Sequence, residues 1–110
     1  MDINEYQFLA RRTINTGIST SAQNAHALHG MVGEIGELHS IYQKTYQGHK
    51  FDEEHAKKEV GDLLWFIAEF CTSMGWSMND VAVDNIKKLI NRYPEGFDEE
   101  RSLHRDENDI

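Results

Sequence analysis

The pentapeptides EIGEL at residues 34–38 and EVGDL at residues 59–63 share one pattern: acid, β-branched residue, glycine, acid, leucine. Two carboxylates at i, i+3 lie on one side of a helix, about 5–6 Å apart at Cβ. On a helical wheel Glu34 and Glu37 flank Ile41, and Glu59 and Asp62 flank Phe66. Each pair sits on the shoulder of an apolar stripe, Ile35, Leu38 and Tyr42 in one segment and Val60, Leu63 and Ile67 in the other. If the two helices pack antiparallel through these stripes, four carboxylates converge, and in a partly dry groove their repulsion demands a counter-charge. A hard divalent cation supplies it, so the pattern points to Mg²⁺, with Mn²⁺ as a substitute. Mg²⁺ also shares its shell readily with substrate phosphates. The alternative is four ordinary helix-surface acids paired with Lys44, Lys57 or Lys58.

A second pattern lies in DNIKKLINRYPEGF, residues 84–97. Asn85, Lys88 and Arg92 share one helical face, with Ile86, Leu89 and Ile90 on another. An amide, an ammonium and a guanidinium on one stripe suit phosphate oxygens. A solvated face with a cation at the helix end is the alternative. A ferritin-like di-iron site is excluded by spacing, because no Glu has a His three residues on. His26 and His29 can share a face, but with no cysteine nearby they are read as polar groups near the surface or a ligand pocket.

These groups need helices to position them. Pro94 is the single proline, and no segment alternates apolar and polar residues for long, so the chain reads as all-α. The pattern predicts helices at about 2–13, 21–46, 52–74 and 78–92, with a turn at 15–20, Gly48 as a stop and Gly75 ending the third helix. Phe8 and Leu9 are expected to face inward, as are Leu28, Met31, Ile35, Leu38 and Tyr42. The polar segment from residue 95 onward is expected to wrap the surface or fray. At 110 residues with 39% apolar side chains, the chain fits one domain with a modest core. Its net charge of −8 argues against a nucleic-acid polymer as partner. No apolar run approaches a membrane span, and MDINEYQFLARRT lacks a secretory pattern, so a cytoplasmic location is expected. Cys71 is alone and is read as a small buried hydrophobe. Gly36 and Gly61 lie away from the acids on the wheel and are expected to mark close approach of another helix, across a subunit contact.

Together the two acid pairs, KKEVGDLLWFIAEF, NIKKLINRYPEGF, YQFLARRT and LHGMVGEIGEL resemble the MazG-like all-α nucleoside triphosphate pyrophosphohydrolases over about residues 5–97. That resemblance implies a four- to five-helix bundle as one catalytic domain over 1–97, followed by a polar tail at 98–110. It implies a homodimer or homotetramer, and Mg²⁺-dependent cleavage of a nucleoside triphosphate to monophosphate and pyrophosphate. Glu34, Glu37, Glu59 and Asp62 become metal ligands, with Glu37 the candidate general base. Asn85, Lys88, Arg92 and Tyr93 become phosphate contacts, and Trp65 a candidate for the base pocket. Other functions compatible with the residues are a phosphoribosyl-ATP pyrophosphatase, a non-catalytic Mg²⁺-dependent nucleotide or alarmone sensor, and a helical interaction module.

Overall fold

A computed structural model describes residues 1–110. It is all helical: α1 spans Ile3–Ala10, α2 Thr20–Thr45, α3 Glu53–Ser73, α4 Met78–Arg92 and α5 Glu99–Leu103. Each helix begins where a side chain satisfies an orphan amide. Asp2 accepts from Glu5 N, Ser19 from Ala22 N, Asp52 from His55 N, Ser77 from Asp80 N and Asp98 from Glu100 N. The first helix is shorter than its sequence pattern, because Arg11–Thr13 tightens into a 3₁₀ turn. Thr13 Oγ1 accepts there from Trp65 Nε1 at 2.8 Å, which ties the turn to α3. α3 ends at Gly75, whose φ of +75° suits a residue without Cβ, while Trp76 N closes back on Cys71 O at 2.8 Å.

The long helices α2 and α3 form an antiparallel pair, and α1 lies across α3 and α4. Gln7 is the staple of that crossing. Its amide donates to Trp76 O at 2.8 Å and Thr72 Oγ1 at 3.2 Å, and its carbonyl accepts from Met78 N at 2.8 Å. Ala10, Ala68, Cys71 and Met78 form the buried centre, with Ile3, Tyr6, Trp65 and Ile67 packed around it. α4's main packing is against α1 rather than against the α2–α3 pair.

Two sequence expectations about facing are corrected. Phe8 and Leu9 point outward, and Ile3, Tyr6 and Ala10 turn inward instead. On α2, Leu28, Ile35 and Tyr42 are exposed, whereas Ala27 and Ile41 are buried. Met31 and Leu38 of the same stripe are half-buried, so the acid-bearing side takes the centre of the contact and the apolar stripe only part of it. An amphipathic wheel shows which faces are apolar; it does not say which of two such faces meets α3. The segment from residue 95 does not fray throughout, since it forms α5 and returns Asp109 to Arg92.

Candidate active site

Side-chain pairings run along the α2–α3 seam in antiparallel order. Ser73 Oγ donates to Asn24 Oδ1, His26 meets Glu69, and Gly30 meets the Phe66 ring. Further on, Glu34 meets Glu59 and Asp62. A Cβ at Gly30 would collide with Phe66, so this glycine sets the separation of the two helices beside the acids. Nothing lies within 4 Å of a Cβ placed at Gly36 or Gly61, so no helix of the same chain accounts for either.

Glu34, Glu59 and Asp62 each bring a carboxylate oxygen into one group whose members lie within 4.8 Å of one another. Glu34 Oε2 is buried and has no hydrogen-bond partner. The hydrogen bond shared with Glu59, then burial, then the charges of Glu59, Asp62 and Glu37 push the Glu34 carboxyl up to about 7. Like charges this close disfavour one another's ionised form, and it is the partly buried Glu34 that carries the effect, beside an exposed Asp62. A buried oxygen without a partner, in an all-oxygen donor set, fits a hard divalent cation. Glu37, the fourth expected ligand, is exposed and stands outside the group of three, near enough for its charge to act on Glu34.

Neighbours extend the site. His55 Nε2 lies 3.3 Å from Glu59 Oε1, one turn earlier on α3. The i, i+4 spacing of this pair is visible in the sequence, but such pairs are common on helix surfaces and do not by themselves mark a site. Tyr6 of α1 faces the same region, and burial and then the Asp62 charge raise its phenol above the ordinary value. Trp65 packs at the buried centre, with its indole N–H committed to Thr13.

Glu69 is the one charged residue that is fully buried. Its two oxygens lie 2.8 and 3.0 Å from Nδ1 of the half-exposed His26. The sequence patterns do not single out this pair. Its one signal is that Glu69 follows Asp62 by two helical turns and so shares its face.

The expected phosphate contacts lie elsewhere in the chain. Asn85 and Lys88 are exposed on α4, and no ion pair joins α4 to the three clustered acids. Arg92 is bound by Asp109, and its guanidinium stands 5.9 Å from the centre of the Tyr93 ring.

A family model, the MazG nucleotide pyrophosphohydrolase domain, matches residues 22–97, which take in α3, α4 and all but the first two residues of α2. No curated protein and no solved structure matched the chain.

Proposed function

The chain belongs to the MazG nucleotide pyrophosphohydrolase family, and from that premise we propose that it is a Mg²⁺-dependent enzyme cleaving the α–β phosphate bond of nucleoside triphosphates. One observation carries the metal-dependent part: three carboxylates within 4.8 Å of one another, one of them with a buried, unpartnered oxygen. Glu34, Glu59 and Asp62 would hold the cation, with Glu37 at the edge of the group. Bound there, Mg²⁺ supplies neutralisation of the triphosphate and a polarised water.

The chain's own groups do the rest. Glu37, exposed and outside the cluster, would take a proton from the attacking water. His55 steadies Glu59 from the solvent side through the 3.3 Å contact. Lys88 and Arg92 offset the charge of the departing pyrophosphate, with Asn85 as a neutral donor and Tyr93 beside them. Trp65, with its N–H committed to Thr13, would have only its ring to offer a base. α4 stands apart from the acids within one protomer, so self-association into a dimer or tetramer is the arrangement in which α4 of one copy would serve the acids of another. No helix is long and apolar enough to cross a membrane.

The test is pyrophosphate release from a panel of canonical and modified ribo- and deoxyribonucleoside triphosphates with Mg²⁺. Glu59→Gln and Asp62→Asn should each lower turnover by at least about a hundredfold with helicity intact, as expected for lost ligands. A correctly folded protein that releases no pyrophosphate from any member of the panel would sink the assignment.

A further inference from the structure

The family match ends at residue 97, and the segment beyond it, residues 98–110, folds back on the cations of α4. Arg92 Nε donates to Asp109 Oδ2 at 2.7 Å, and Arg92 Nη2 donates to Asp109 Oδ1 at 2.7 Å. Both side chains are mostly covered, at 11% and 15% exposed. This is the two-pronged geometry in which a guanidinium takes two oxygens of a phosphate, and the same N–H groups cannot serve both. Asp109 also has cations on both sides. Arg101 and Arg105 share with it a cavity of about 220 Å³, and Lys88 lines a second cavity beside it. The hydrogen bond from Arg92, together with the charges of Arg92, Arg105 and Lys88, holds the Asp109 carboxyl below its usual range despite partial burial. An acid is thus seated where a net charge of −8 leaves few cations to spare.

We propose that Asp109 is an intramolecular competitor for a polyphosphate site centred on Arg92, Lys88 and Arg105, so that residues 105–110 must lift before the phosphate chain of a nucleotide seats. The proposal rests on α4 being the phosphate-holding element, and it adds a regulatory segment outside the matched domain. Releasing the tail raises affinity for the substrate without touching the carboxylates that hold the metal, so it acts on KM and leaves kcat alone.

Calorimetric titration of the full chain with inorganic tripolyphosphate at fixed ionic strength tests this. Asp109→Asn should tighten binding about fivefold, the scale of a partly covered ion pair. Glu107→Gln, which removes the same charge without breaking the pair, should change it far less. In an Arg92→Ala background the effect of Asp109→Asn should vanish. In turnover, Asp109→Asn should lower KM by a similar factor at unchanged kcat, which a merely structural tail contact would not do. If Asp109→Asn leaves affinity unchanged or weakens it while Arg92→Ala still weakens it, the competitor role is overturned and the phosphate role of α4 stands. If neither Arg92→Ala nor Lys88→Ala alters tripolyphosphate binding, α4 does not hold phosphates and both fall.

Discussion

Glu34 concentrates the chemistry of the site in one side chain. A hydrogen bond with Glu59, then burial, then the charges of Glu59, Asp62 and Glu37 push its carboxyl up to about 7, while its Oε2 is buried without a partner. In the unfolded chain the same group titrates in the ordinary glutamate range, so between about pH 4.5 and about 7 the native state binds more protons than the unfolded one. The stability that the Glu34 proton contributes to the metal-free protein should therefore be fully present below that window and be lost as pH rises through it, whereas the Arg92–Asp109 pair is lost only at lower pH, where Asp109 protonates. A divalent cation replaces the proton as the neutralising charge, so saturating Mg²⁺ should flatten the slope and its affinity should weaken below pH 7. Glu34→Gln should remove the slope in metal-free protein and at the same time abolish the Mg²⁺ effect. Urea melts across pH, with and without Mg²⁺, measure both, and a metal-free stability that rises from pH 5 to 7 contradicts the proton held on Glu34.

Among the helices, the α2–α3 pair is set by a glycine that no wheel singles out. Gly30 faces Phe66 so closely that any Cβ would displace the ring, and Phe66 follows Asp62 by one turn on α3. Gly30→Ala, usually favourable within a helix, should instead destabilise by about 1–3 kcal/mol through overpacking, and should loosen the acid cluster with it. Thermal melts and Mg²⁺ titration of that variant check both effects, and a more stable protein with unchanged metal affinity would show that Phe66 simply turns aside. Helix positions were legible from the sequence because Asp, Ser and Gly stand at their ends: the observed starts at Glu53 and Met78 and the stop before Gly75 fall where caps predict them. The three clustered acids were legible from a duplicated register. Their depth was not, because burial depends on which face of α2 meets α3, and both faces are apolar enough to do so. The Arg92–Asp109 contact was also invisible, since it joins two segments through a loop whose path no periodicity encodes.

The chain as a whole leaves much apolar surface uncovered. Only 8 of its 110 residues are buried. Its radius of gyration is 17.3 Å, against about 13 Å for a self-contained domain of this length. Leu28, Val32, Ile35 and Tyr42 run along the outer side of α2 with Tyr46 just past its end, and Ile86 and Ile90 stand out from α4. Gly33 and Gly36 lie among the α2 residues with open space where a Cβ would be. Each glycine in a helix interior costs about 1 kcal/mol relative to alanine, a cost that makes sense if a second copy approaches this face closely. Sedimentation should then give at least a dimer, with a melting temperature that rises with protein concentration. Gly36→Trp should shift the protein toward smaller species at concentrations where Mg²⁺ binding to the acids is still intact, because Gly36 faces away from Glu34 on the same helix. If metal affinity is lost first and assembly persists, the glycine serves the acid cluster and the outer face of α2 is not the contact. If the wild-type chain sediments as a monomer and Gly36→Ala merely adds helix stability, no second copy covers this face and α4 has no neighbouring acids to serve.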